Sequence, residues 1–209
     1  MGVDEVVVAA VFLDRDGVLN ELVLNPGTGD YESPRAPEDL KIAEGILAPM
    51  KALASAGFGL FLVSNQPSHA KGKTTLENIR EIHRRLDIFL RDNGVAFVEY
   101  YYCYHHPRGV VPGYSGPCPC RKPSPFFLLK AQRERGVDPS RSWMIGDQDT
   151  DIECGRNAGC RTALLLNERS AAKRGGSRPD ITGGSLAGLV GEIIKIHEGA
   201  VSRDERSEN

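Results

Sequence analysis

The sequence predicts an α/β fold: a Rossmann-like parallel sheet with helices on both faces and a metal-stapled loop inserted in it. Three observations carry that prediction. Short apolar or β-branched runs at residues 6–13, 58–63 and 142–145 lack strict polar alternation, as strands covered on both faces do. Stretches with apolar residues at helical spacing separate them, and such alternation implies right-handed crossovers within one parallel sheet. Several runs stop on polar residues (Asp14 and Asp16, Ser64, Asp147), at the carboxyl edge where open α/β sheets bind their ligands.

In chain order, residues 6–13 form the first strand and stop at Asp14-Arg15-Asp16-Gly17. Two acids two residues apart on an extended chain point the same way. Residues 21–41 carry Pro26, Gly27, Gly29, Pro34 and Pro37 and read as a long irregular loop, placed to cover a site. Residues 46–56 are a helix stopped by Gly57, and residues 58–63 a second strand ending at Ser64-Asn65-Gln66. The period through Leu76, Ile79, Ile82, Leu86 and Leu90 predicts a helix over 74–92. Aromatic and β-branched residues 96–102 form a third strand, followed by a Cys-, His-, Pro- and Gly-rich loop to Cys120. Ser124 is read as the cap of a helix with Pro125 at its first position, running to about residue 135. A strand at 142–145, a helix at 150–157, a strand at 161–166, a loop at 167–178, a short edge strand at Ile181 and a helix at 186–197 complete the chain.

A hydrophobic fraction of 40 % and a charged fraction of 26 % are those of a soluble globule, so one domain is expected over residues 1–200. The charged stretch 201–209 is expected as a disordered tail. A net charge of -2 supplies no basic footprint, so no nucleic-acid partner is expected. No apolar run approaches the roughly 20 residues that span a bilayer, and the acidic beginning lacks the basic segment of a signal peptide. A cytoplasmic monomer acting on a small molecule is the expectation.

Each polar strand end has an ordinary reading by itself: a solvated loop, acids favoured at a helix N-terminus, or a surface patch at Arg121-Lys122. Their joint order lifts them above it: D-x-D-G, a strand ending in Ser64, then Lys122, then G-D-x-x-x-D with Asp147 and Asp151. In that order the chain resembles the haloacid dehalogenase superfamily of aspartate-nucleophile phosphohydrolases over roughly residues 6–189. The resemblance implies Asp14 as nucleophile and Asp16 as general acid and then base. It implies Mg²⁺ held by the Asp14 and Asp147 carboxylates and the Asp16 carbonyl, phosphate binding by Ser64 and Lys122, and Asp151 orienting Lys122 or a metal-bound water. The chemistry is consistent: a carboxylate approaches an anionic phosphate only with cations and a hydroxyl donor around it.

Cys103 and His105, twelve intervening residues, then Cys118 and Cys120 match a closed tetrahedral zinc site of three thiolates and an imidazole. His106 is adjacent and competes as the ligand on spacing alone. Cys154 and Cys160 read as buried, unreactive thiols. The zinc loop with C-x-H-H-P and C-x-C-R-K-P, together with S-N-Q after the second strand, is similar to the D-glycero-D-manno-heptose 1,7-bisphosphate phosphatases. These share ancestry with histidinol-phosphate phosphatases, whose loop is typically shorter. This resemblance favours His105 over His106 and assigns Asn65, Gln66 and Arg121 to substrate. It implies removal of one phosphate from a heptose bisphosphate, with histidinol phosphate or another small phosphomonoester as the alternative; a non-catalytic zinc-containing scaffold stands as a third reading. The chain departs from the family in Pro67-Ser68-His69-Ala70-Lys71-Gly72, where Ser-Gly-Ile-Ala-Arg-Gly is usual.

Overall fold

Strand β1 (Ala10–Leu13) is buried at every position and divides the hydrophobic core into two layers. Val11 and Leu13 enter one layer with Met50, Leu53, Leu86, Leu90, Leu189 and Ile193. Ala10 and Phe12 enter the other, with Leu128, Ala131, Cys154 and Ala158. Successive side chains of a strand face opposite ways, so an unbroken apolar run fits a sheet covered on both sides. The structure is a computed structural model that describes residues 9–207. Residues 6–8 of the predicted first strand lie outside the described residues.

After β1 come β2 (Val23–Leu24), β3 (Tyr31–Glu32), α1 (Leu47–Ser55), β4 (Gly59–Asn65), α2 (Leu76–Asp92), β5 (Glu99–Cys103) and α3 (Phe126–Arg135). The remainder is β6 (Trp143–Gly146), α4 (Asp149–Ala158), β7 (Arg161–Leu165), β8 (Ile181–Gly183) and α5 (Leu186–Ser207). The main sheet has the order β5-β4-β1-β6-β7-β8, and every pairing in it is parallel. The chain moves outward from β1 through β4 to β5, then returns to β6 on the other side of β1. That reversal opens a crevice at the carboxyl ends of β1 and β6. Register brings the site to that edge: Leu13 lies opposite both Leu62 and Ile145, so Asp14, Ser64 and Asp147 emerge together.

The structure differs from the sequence reading in four places. Residues 21–41 contain the antiparallel pair β2–β3 and a 3-10 turn, Pro37–Asp39; two-residue strands carry no periodicity to detect. Pro125, not Ser124, is the N-cap of α3, because the Ser124 hydroxyl donates to the Pro119 carbonyl and fastens the end of the Cys-rich loop instead. The stretch read as a loop at 167–178 holds a 3-10 helix, Glu168–Lys173. Helix α5, expected over residues 186–197, continues through Ser207. Arg and Glu are good helix formers, and a helix already nucleated gains one hydrogen bond per added residue. No helix among the described residues is long and apolar enough to cross a membrane.

Candidate active site

The chain leaves β1 at Leu13 and turns at once. Asp14 stays in the sheet through its amide, which donates to the Ile145 carbonyl at 2.9 Å. Gly17 then takes φ +90°. A Cβ there would lie 2.1 Å from Asp147 Oδ2, so only glycine admits that carboxylate. Gly146 does the same for Asp151, whose Cβ would be 2.1 Å from an added one.

Asp14, Asp147 and Asp151 converge, each offering an oxygen within 4.8 Å of the others, and all three are buried. A single buried cation meets them. Lys122 Nζ lies 2.9 Å from Asp14 Oδ1 and 2.7 Å from Asp151 Oδ1, and donates to the Val63 carbonyl at 2.7 Å. Asp14 Oδ1 also accepts from the Arg15 amide at 2.7 Å, which sets the plane of the carboxylate. Both oxygens of Asp147 are buried without a hydrogen-bond partner. Burial, with smaller repulsion from Asp151 and Asp16, lifts the Asp14 carboxyl to about 6 against the pull of Lys122. Burial and then repulsion from Asp14 and Asp151 lift Asp147 to about 8. Lys122 is displaced upward: burial opposes its charge, and the Asp14 and Asp151 carboxylates outweigh it. Three carboxyls against one ammonium leave an excess of negative charge, the condition in which a buried acid protonates or takes a cation.

Asp16 lies beside this cluster but is engaged elsewhere. Its carboxylate accepts from Arg15, from Asn20 Nδ2 at 3.0 Å and from Gln66 Nε2. The Arg15 side chain folds back on its neighbour Asp16 as the chain leaves β1. Burial opposes the charge on Asp16, but Arg15 holds its carboxyl below the usual range.

Ser64, Asn65 and Gln66 follow the end of β4 as expected, with a different division of labour. Gln66 is buried and its Nε2 also donates to Ser64 Oγ at 3.0 Å. Asn65 clasps the Lys122 backbone, donating to its carbonyl at 3.2 Å and accepting from its amide at 3.1 Å. Both amides assigned to substrate also hold site groups: Gln66 bonds Asp16, and Asn65 bonds the Lys122 backbone. Arg121 is half-buried; among the described residues its guanidinium bonds the His105 carbonyl, at 3.4 Å, and pairs with no carboxylate.

Cys103, His105, Cys118 and Cys120 form a second cluster beside the end of β5. Sγ separations are 3.5 Å for Cys103–Cys118 and 3.7 Å for Cys118–Cys120, and His105 Nδ1 is 3.8 Å from Cys120 Sγ. His106 faces away from it, accepting the Arg108 amide on Nδ1 at 3.1 Å. All five cysteines are free, with Cys154 and Cys160 buried.

The β2–β3 hairpin reaches over the cleft. Glu32 pairs with Lys73 at 2.7 Å on the β4 side, and Tyr31 accepts from Lys173 at 3.1 Å on the β7 side. Beside it is a cavity of about 220 Å³ lined by Val23, Leu24, Asn25, Glu32, Ser33 and Arg35.

Residues missed in the sequence are Arg15, Asn20, Asn167 and Ser170. Asn167 Nδ2 donates to the Gly17 carbonyl at 3.0 Å, and Ser170 Oγ to the Asp147 carbonyl at 3.1 Å, fixing both sides of the acid cluster. Arg15 carried a signal: a charged residue flanked directly by two site acids.

Sheet order, acid-ended β1 and the buried lysine place the chain in the class of haloacid dehalogenase-like hydrolases, and residues 119–189 match the HAD-hydrolase-like family model. A D-glycero-beta-D-manno-heptose-1,7-bisphosphate 7-phosphatase of Yersinia pestis is 34 % identical over 183 residues, 87 % of this chain and 93 % of that one. Its counterpart in Photorhabdus laumondii is 36 % identical over 76 % of this chain and 80 % of its own. A D,D-heptose 1,7-bisphosphate phosphatase from B. bronchiseptica, solved with magnesium and phosphate, superposes with a TM-score of 0.72 at 25 % identity, covering 90 % of this chain and 98 % of that one. The chain belongs to this heptose-bisphosphate phosphatase family.

Proposed function

We propose that the protein is a Mg²⁺-dependent phosphatase that converts D-glycero-D-manno-heptose 1,7-bisphosphate to the heptose 1-phosphate through an aspartyl-phosphate on Asp14. The observation that carries the reading is Lys122, fixed between Asp14 and Asp151 opposite the unpartnered Asp147. An all-oxygen cluster with surplus negative charge fits Mg²⁺, which takes carboxylates together with waters and phosphate oxygens. Asp14 and Asp147, with the Asp16 carbonyl, would hold it; when bound it offsets phosphate charge so that an anion can approach a carboxylate.

The chain's own residues supply the rest. Asp14 attacks phosphorus as the bond to the leaving oxygen breaks, and Asp16 gives that oxygen its proton. Asp16 then takes a proton from the water that hydrolyses the aspartyl-phosphate. Lys122 and Ser64 hold the phosphoryl oxygens, and Asp151 keeps the ammonium in place.

The Cys/His cluster fits zinc. Thiolates about 2.3 Å from a tetrahedral centre lie about 3.8 Å apart, close to the separations found here. The four ligands would staple a loop that has no core of its own and anchor Arg121 and Lys122, which directly follow Cys120. Protein purified without added metal should contain about one zinc per chain, as four protein ligands imply. Dialysis against EDTA should abolish activity that Mg²⁺ alone restores while zinc stays bound. Elemental analysis that finds no zinc would overturn the structural site.

Arg121 is assigned to the remote phosphate. Lys71 adds positive charge near it, with Arg108 close to Lys71 and the Glu32 carboxylate partly offsetting that charge. Arg121→Ala should cost roughly 1.5–3 kcal/mol in kcat/KM on heptose 1,7-bisphosphate, the worth of a charged hydrogen bond, and spare p-nitrophenyl phosphate. Equal losses on both would place Arg121 at the transferred phosphate or in holding the loop. Histidinol phosphate, compared in the same assay, separates the heptose reading from its relative.

A further inference from the structure

Arg15 heads the fully buried side chains ranked by volume, and its guanidinium has no access to solvent. Its Nε lies 3.0 Å and its Nη2 2.9 Å from Asp16 Oδ1, and Nη2 is 3.2 Å from Oδ2. Nη2 also donates to Gln66 Oε1 at 2.8 Å, while Gln66 Nε2 donates to Asp16 Oδ2. The three side chains thus close a ring of hydrogen bonds. Asn20 adds a donor to Oδ1 at 3.0 Å. Behind the guanidinium stands the Tyr102 ring, 5.9 Å away, whose hydroxyl is 2.8 Å from His83 Nδ1.

Stability alone is a poor reason for this arrangement. Burying an ion pair costs several kcal/mol per ion, and apolar replacements are often as stable. Arg15 Nη1, moreover, is buried with no partner. What the fork does supply is orientation: two nitrogens on one carboxylate set its plane as a single ammonium cannot.

We infer that Arg15 is the positioning residue for Asp16, its fork fixing the plane in which the carboxyl meets the leaving oxygen, with Gln66 as the second jaw of the clamp. The inference rests on Asp16 acting as general acid and base, as read above. In that step the Asp14–phosphorus bond forms, the ester bond breaks, and the Asp16 proton passes to the leaving oxygen. Misplacing Asp16 should therefore harm poor leaving groups most, since a good one departs without a proton.

The experiment compares kcat/KM on p-nitrophenyl phosphate and phenyl phosphate, which have nearly the same shape and different leaving-group basicity, in Mg²⁺-loaded enzyme. Asp16→Ala should lower phenyl phosphate at least about tenfold more than p-nitrophenyl phosphate, within the range of general acid catalysis. Arg15→Met should show the same skew, and Arg15→Lys, which keeps the buried cation but loses the fork, a smaller one. In an Asp16→Ala background, Arg15→Met should leave the ratio of the two substrates unchanged. Equal losses on both substrates for each Arg15 variant, or a skew that survives without Asp16, would overturn the positioning role. Absence of any skew in Asp16→Ala itself would instead remove the acid role on which it rests. Arg15→Lys decides the matter where Arg15→Met does not fold.

Discussion

Asp14→Asn is expected to lower turnover by more than about a thousandfold on every phosphate ester while leaving the fold intact. The amide nearly matches the carboxylate in size, and its carbonyl can still accept from Lys122 and from the Arg15 amide. What it lacks is nucleophilicity and the charge that a metal requires. Steady-state rates on p-nitrophenyl phosphate, with thermal melting as the control for folding, check this directly. A residual rate above about one-thousandth, the level that binding and neighbouring groups sustain alone, would show that another group attacks phosphorus. A trapped phospho-enzyme at Asp14 in wild type, read by mass after an acid quench, is the positive counterpart.

Lys122→Met is expected to be the second most damaging change, lowering kcat by about 100- to 1000-fold on monoesters and bisphosphates alike. That is the usual cost of removing one donor aimed at developing charge. Two carboxylates held 2.7 and 2.9 Å from the ammonium would lose their partner. Breaking a buried pair in this way costs about 3–5 kcal/mol, so the melting temperature should fall as well. Mg²⁺ should recover part of that stability by binding the acids left behind, which a titration followed by thermal melting would register. A variant whose kcat is unchanged on p-nitrophenyl phosphate would remove Lys122 from the transferred phosphate. The contrast with Arg121→Ala is the sharpest internal test, because neighbouring cations in the chain are assigned to different phosphates.

The α/β class, the strand ends that carry acids and the Cys/His spacing were all determined by the sequence itself. Each rests on neighbours along the chain. An apolar run such as Ala10–Leu13 has to be buried on both faces, helical spacing in α2 declares its inward side, and Cys118 with Cys120 needs no partner element to be recognised. The two-residue strands of the hairpin and the Ser124 hydroxyl were illegible because propensity says little over so short a span and a cap competes with any nearby carbonyl.

Only the tertiary structure decided which donor each carboxylate receives. Gln66 meets Asp16 across fifty residues because β4 pairs with β1 in a register that aligns Leu62 with Leu13, and Asn65 meets Lys122 across fifty-seven. A shift of one residue would turn those amides to the opposite face of the sheet. Residue types at strand ends announce that chemistry is present. The pairing of strands determines that Lys122 lies between Asp14 and Asp151, and that Arg15 turns inward to grip Asp16.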